Sequence, residues 1–254
     1  MFKTNLLGGW IVPDGSEIPP EAVIPSRSEI GSGCKIGDGG TIGNYCENGN
    51  HCKIGNHCKI GNDCTFGDAC IIGNRCKIGN DCTIGDDCTI GNGCTFGDDC
   101  DIGYGCTFGN DCEIGDCCTI GNDCTISYGC TIGNYCKIGN DCTIGTRCTL
   151  GTRCTIGNRC KISNHCTIGD DCIIGSGCTI GDDCTWLGVK IKSWLTLANV
   201  DGSRRQIKAV KSVEGEIRIE AGCFLGTLDE FIAKATQEGK LRYVSIVNAI
   251  AEHV

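Results

Sequence analysis

The sequence predicts an all-β solenoid followed by a small C-terminal α+β module. Three observations carry this expectation. A six-residue unit repeats without insertion or deletion over most of the 254 residues. Each unit shows the small–x–large apolar alternation of a short half-buried strand. Near Leu187 the unit stops, and Lys, Arg, Glu and Val become frequent where Cys and Gly dominated.

The repeat is plainest from Cys34 to Cys184. Steps of six visit 26 positions, of which 25 are cysteine and Gly40 is the exception. Two residues after each stands Ile, Leu, Phe or Trp, apart from Asn48. Glycine comes next, apart from Ser127, Ser163 and Leu187. The phase runs back through Ser28-Glu29-Ile30, Ala22-Val23-Ile24, Ser16-Glu17-Ile18 and Trp10-Ile11-Val12, and in the last three Pro25, Pro19 and Pro13 replace the glycine. From Trp10 to Trp186 this makes 30 hexads. Three residues of each hexad alternate in, out, in. The other three form a corner, where Gly, Asn and Asp tolerate left-handed backbone. The second corner residue is usually Asn or Asp. At Ser32, Tyr104, Tyr128 and Ser176 it is neither and Gly follows, which predicts that the positive-φ residue moves one place along. Thr146-Arg147 and Thr152-Arg153 supply neither solution.

A large apolar residue, Gly, two freer positions, a small residue and one more free position: over roughly 70% of the chain this resembles the bacterial hexapeptide repeat. The resemblance implies a left-handed parallel β-helix of about ten three-sided coils, about 48 Å long at ~4.8 Å per coil. The hand comes from the resemblance, because parallel crossovers ordinarily run right-handed. The chain then divides into an N-terminal cap (1–9), the hexapeptide-repeat β-helix (10–187) and a C-terminal capping or interaction module (188–254).

Cysteine at the inward small position is the main departure, since the family carries Ser, Thr, Ala or Val there. Stacking of every third hexad would put thiols in three interior columns: Cys34, Cys52, Cys70 onward; Cys46, Cys64, Cys82 onward; and Cys58, Cys76, Cys94 onward. A reduced thiol is a small polarisable hydrophobe suited to a narrow prism. Thiolates also bind zinc, copper(I) and iron–sulfur clusters. Against that use, no C-x-x-C occurs, and one sulfur per strand is too few for a tetrahedral site. Disulfides along a column are disfavoured, because Cβ atoms ~4.8 Å apart exceed the ~3.5–4.5 Å that a good bridge needs. Cys117 and Cys223 fall outside the columns, and Cys117 is the expected exposed thiol. No metal and no cofactor is expected.

Other constellations have bland explanations. Thr89, Thr107, Thr125 and Thr143 stack outward on one face, as an ice-binding array would, but the column is single and is broken by Lys35, Lys53, Ile71 and Lys161. β-propensity on a solvated face accounts for it. Asp63, Asp81 and Asp99, with Asp98 and Asp116 beside them, could bridge Ca²⁺; a hydrated acidic corner is the simpler reading. His51, His57 and His165 occupy last-corner positions and His253 the far C-terminus. None matches the catalytic histidine that an acyltransferase of the resembled family requires, and no loop leaves the hexads. No catalytic residue is therefore assigned.

The net charge of −9 disfavours a nucleic-acid partner. No apolar run approaches a membrane span. The start, MFKTNLLGGWIVPDG, has no small-x-small cleavage site before Pro13, and abundant unpaired cysteine points to a reducing cytoplasm. Beyond Leu187, SWLTLANV, RRQIKAVKSV and EIRIE read as three antiparallel strands, with Asp201-Gly202 and Glu214-Gly215 as turns. GTLDEFIAKATQEGK reads as a helix with a Thr227–Glu230 capping box and a stop at Gly239. LRYVSIVNAIAEHV reads as a second helix. This β3α2 module could cap the last coil, bind a protein partner or associate with its own copies. Arg204 and Arg205 give it a small basic spot. The expected function is that of a non-enzymatic structural or interaction solenoid, with a hexapeptide acyltransferase and a thiol-based metal-binding protein as alternatives.

Overall fold

The computed structural model describes residues 2–200, 205–222 and 224–254. From Trp10–Val12 to Thr185–Trp186, short strands pair in parallel with the strands three hexads before and after them. Thr83 pairs with Thr65 and Asp101, Thr89 with Ile71 and Thr107, and Thr95 with Lys77 and Glu113. Three sheets result, closed into a three-sided parallel β-helix of about ten turns. The second residue of each hexad faces out, and the first and third face a continuous interior of Cys and Ile. Phe66, Phe96 and Phe108 thicken that interior, and Trp186 fills its C-terminal end.

Backbone donors repeat their directions from coil to coil. The outward strand residue and the corner glycine reach back one coil, as Lys53 N–H does to Cys34 O (2.8 Å) and Gly55 N–H to Ile36 O (2.7 Å). The last corner residue reaches forward, as His57 N–H does to Asn74 O (2.9 Å). The first coil has no coil behind it. There the glycine position holds Pro13, Pro19 and Pro25, which have no N–H to leave unpaired.

The corners correct the sequence reading. From Gly15 to Asp183, positive φ falls on the last corner residue every time, whether it is Gly, Asp, His57, Ala69, Arg147 (φ 60°) or Arg153 (φ 57°). It never moves. The position is set by the N–H that must turn toward the next coil, and the side chains there bear about 1–2 kcal/mol of left-handed strain. Asn or Asp one place earlier has a different task. Its Oδ1 accepts from the backbone N–H one coil on: Asp38 from Asn56, Asn56 from Asn74, Asn74 from Asn92 and Asn92 from Asn110, each at 2.7 Å.

The corner glycine is required for contact rather than for its φ. A Cβ on Gly169 would lie 2.5 Å from Gly151 C and O and 2.7 Å from Thr152 N. Where Ser127 takes this place, the bond to the coil behind lengthens to 3.3 Å, although Ser163 keeps 2.9 Å.

After Trp186 the chain turns into an antiparallel meander: β1 (Val189–Val200), β2 (Arg205–Ser212), β3 (Ile217–Ala221) and β4 (Phe224–Thr227). The first strand pairs with Thr185–Trp186, so the meander prolongs one of the three solenoid sheets. The fourth strand joins the three read from the sequence. It leads directly into the helix cap and carries no alternation of its own. Helix α1 (Leu228–Gln237) has the expected capping box between Thr227 and Glu230, and α2 (Leu241–His253) follows Gly239, whose φ is +68°.

Alternation divides the meander between two cores. Ile207, Ala209 and Ile219 pack with Phe231, Ala235 and Val247 of the helices. Val210 and Trp194 instead join the solenoid core, with Trp194 at 5.7 Å from Trp186 between ring centroids. Lys208 and Glu220 form a buried ion pair at 2.5 Å, and the Lys208 ammonium lies 6.0 Å from the Trp186 ring centroid. Burial raises the Glu220 carboxyl above its ordinary value, against the pull of Lys208. The other two sheets end at Ile173–Ile174 and Thr179–Ile180. At the opposite end, Lys3–Thr4 pairs antiparallel with Trp10–Ile11.

Two substitutions separate strain from contact. Ala69→Gly, at φ 54°, is expected to stabilise the chain by about 1 kcal/mol. Gly169→Ala is expected to destabilise it by about 1–3 kcal/mol by overpacking. Melting followed by circular dichroism checks both signs.

Candidate functional site

The thiol columns concentrate the reactive chemistry of the chain. Nine cysteines from Cys34 to Cys178, eight from Cys46 to Cys172 and eight from Cys58 to Cys184 share the strand register. All are free, and all are buried except Cys178, which is half-buried at the C-terminal end.

Each column thiol has one hydrogen-bond partner in common form. Its Sγ donates to the first corner carbonyl of the preceding coil. Cys52 reaches Gly31 O (3.2 Å), Cys100 reaches Gly79 O (3.3 Å) and Cys148 reaches Ser127 O (3.0 Å). Apart from Pro13 O, which takes Ser16 N–H (3.3 Å), no backbone N–H is directed at these carbonyls. Some thiols also accept: Cys70 N–H points at Cys88 Sγ (3.3 Å) and Cys100 N–H at Cys118 Sγ (3.4 Å).

Ser16 and Ser28 hold the same position but have no coil corner behind them. Ser16 Oγ donates to Pro13 O (2.6 Å) and Ser28 Oγ to Pro25 O (2.7 Å), in the corner just before each. Ser28 Oγ also accepts from Trp10 N–H (2.8 Å) of the coil behind. The same two carbonyls are reached from the next coil by Cys34 (3.2 Å) and Cys46 (3.3 Å). The sulfur spans the step between coils. That bond gives cysteine a use beyond filling volume, and it is hidden from sequence reading because the acceptor belongs to another coil.

Burial raises the Cys34 thiol above its ordinary value. Cys64 is raised first by Cys46 and Cys82 and then by burial, and Cys70 in the same way by Cys52 and Cys88. Adjacent thiols in a column therefore resist ionising together.

The remaining expected groups lie apart. His51, His57 and His165 are exposed on corners; His51 belongs to a different corner from the other two, and His165 Nδ1 stands 3.8 Å from Asp183 Oδ2. The His253 side chain, Arg204, the Arg205 side chain and Cys223 lie outside the described residues. Thr89, Thr107, Thr125 and Thr143 stack in register as the sequence predicts. Asp98 and Asp116 are not free to hold a cation with all their oxygens: Asp98 Oδ1 accepts from Asp116 N–H (2.8 Å), and Asp116 Oδ1 from Asn134 N–H (2.6 Å). Among the described residues, no three His, Cys, Asp or Glu side chains gather as a metal cage, and no helix is long and apolar enough to cross a membrane. A cavity of about 300 Å³ in the C-terminal module is lined by Ile207, Phe224, Phe231, Lys234 and Tyr243 among others.

Asn48, an irregularity of the repeat by sequence, is a buried amide in the structure. Its Nδ2 donates to Thr65 O (3.2 Å), and its Oδ1 has no partner.

Comparison with known proteins gives two family matches. The family described as bacterial transferase hexapeptide (six repeats) matches residues 147–182. The family described as GMPPB C-terminal domain matches residues 66–153. Searches of curated proteins and of solved structures each found no match.

Removing one rung tests the thiol's role. Cys100→Ala is expected to cost about 2 kcal/mol, through lost packing and a carbonyl left without a donor. Cys100→Ser should also fall below the parent in thermal or denaturant melts, because the shorter, more strongly solvated hydroxyl reaches Gly79 O less well and costs more to bury.

Cys117 is exposed, and its thiol is raised by partial desolvation and by the carboxylates of Asp99, Asp116 and Asp98. Alkylation requires the thiolate. Its rate at Cys117, followed by mass spectrometry, should keep climbing with pH past the ordinary thiol range. Salt or Asp99→Asn should accelerate it at fixed pH.

Proposed function

We propose, on the premise that the chain is a hexapeptide-repeat protein, that it serves as a non-enzymatic structural or interaction rod in a reducing cytoplasm. The observation that carries this reading is the uniform use of the thiols. Every column cysteine is engaged in the same coil-to-coil bond, with none set apart in geometry as a nucleophile or ligand. The placement of the histidines supports it. His57 and His165 share a corner but lie six coils apart, about 29 Å at ~4.8 Å per coil. The meander serves as the cap of one sheet end, which would otherwise present a bare edge. Its helices then offer the surface through which a partner or a second copy would dock.

The word transferase in the matched family's description favours a second reading, an atypical acyltransferase with its site at a seam between copies. It would need a histidine from one copy to meet an acyl donor held by another.

Two measurements separate these readings. Truncation after Leu187 should expose Trp186 and the Thr185–Trp186 edge and drive the rod into larger assemblies, seen by light scattering after gel filtration. A truncated chain of unchanged size and melting temperature would sink the capping role. Steady consumption of an acyl-CoA with simple amine acceptors, abolished by His57→Ala or His165→Ala, would replace the rod by the enzyme.

A further inference from the structure

We infer that the C-terminal module binds a small monocarboxylic acid with an apolar body, in the cavity of about 300 Å³ between α1, the start of α2 and the meander. This goes beyond the structural reading and does not depend on it, since every residue lining the cavity belongs to that module.

The apolar part of the lining comes from the second core. Ile207, Phe231 and Ala235 are buried members of that core. Phe224 stands edge-on to Phe231, with ring centroids 5.0 Å apart, and Ala221 lies beside it. Hydrocarbon walls of this kind take up an apolar body by burying its surface. At interior packing density the volume suits a body of about ten non-hydrogen atoms. That is the size of a phenyl ring on a short chain.

The charged residues of the lining are Lys234, Glu238 and Lys240, all exposed at its rim. The Lys240 ammonium bonds Glu238 Oε2 (2.6 Å). That bond and that charge hold the Glu238 carboxyl below its ordinary value, and Lys234 adds to the effect. The Lys234 ammonium also lies 5.6 Å from the centroid of the Phe224 ring, which walls the cavity. Two cations thus share one carboxylate, and the rim keeps one positive charge in excess beside an apolar floor. A single carboxylate balances that excess. A phosphate dianion would exceed it, and an amine would find only a carboxylate already paired. Hydrogen bonding carries the same sign. The carbonyls of Lys234, Ala235 and Thr236 that end α1 are taken by the N–H groups of Glu238, Lys240 and Gly239. The N-terminus of α2 has no side-chain cap, and its Lys240 and Tyr243 both line the cavity. The partial positive charge of that helix end adds to the field of the lysines.

The test is calorimetric titration of the full chain with 3-phenylpropanoate and with its neutral amide, 3-phenylpropanamide, the site being mapped by amide NMR. The expected result is one acid per chain with a Kd of about 0.1–1 mM, and binding of the amide about tenfold weaker. Shifts should centre on the lining residues, and the affinity for the acid should fall with salt. Lys234→Gln and Lys240→Gln change exposed side chains, so the circular dichroism should stay as it is. Each should weaken the acid about fivefold and leave the amide unchanged. Ala221→Leu should fill the cavity and exclude both compounds; the lysine variants carry the test if it fails to fold. A capped tetrapeptide ending in phenylalanine offers the same carboxylate and ring, and should bind more weakly because the cavity has no room for its backbone. Equal affinity for acid and amide, no binding at about 10 mM acid, shifts centred elsewhere, or tighter binding of the peptide would overturn the inference.

Discussion

The fold depends on one separation: each coil must lie a single strand spacing above the coil before it, on all three sides at once. The corner glycine makes that approach possible, because a Cβ at Gly157 or Gly169 would sit within 2.7 Å of the backbone behind it. Once the approach is made, the groups of the next coil find their partners at fixed offsets. The outward strand residue and the corner glycine look back, the left-handed corner donor looks forward, and the Asn and Asp amides or carboxylates collect the donor between them. Repetition in the sequence is the covalent image of that single distance.

Cysteine belongs to the same system of offsets. A methyl or isopropyl group would fill the prism but leave the corner carbonyl dry and unpaired, at about 1–3 kcal/mol each. A hydroxyl pairs with a carbonyl too, but it is more strongly solvated than a thiol and its burial costs more. The thiol does both tasks across the step between coils, and it does so as a weakly polar group whose burial costs little. The interior is consequently apolar in composition while its backbone acceptors remain satisfied.

Much of this architecture is legible in the sequence because the repeat is unbroken. The inward position of the thiols, the exposure of Cys117, the threonine stack and the Thr227 capping box can all be read from spacing. The corner chemistry cannot. Composition credits Asn and Asp with the left-handed backbone, whereas that conformation belongs to the next residue and their side chains serve a donor on the following coil. A motif of a single hexad contains neither that partner nor the thiol's acceptor. The fourth meander strand escapes for a different reason: Phe224–Thr227 is short and runs straight into a helix cap. The Lys208–Glu220 pair is equally hidden, since two exposed-looking charges on neighbouring strands become interior only when the meander folds over Trp186.

Asn48 bears on how such a chain finds its place. Coils that are nearly interchangeable could assemble one turn out of step and still bury the same residue types, at little difference in energy. The interior amide of Asn48, bonded to the Thr65 carbonyl through nitrogen and unmatched at oxygen, is the one break in the large apolar column and marks one coil as different from the rest. Together with the bulk of Trp186 at the other extremity, it gives an otherwise uniform screw thread a beginning and an end. Growth of the coil can then proceed by successive closures of equal, short span, each with the same small entropy cost, and arrive at one alignment rather than several.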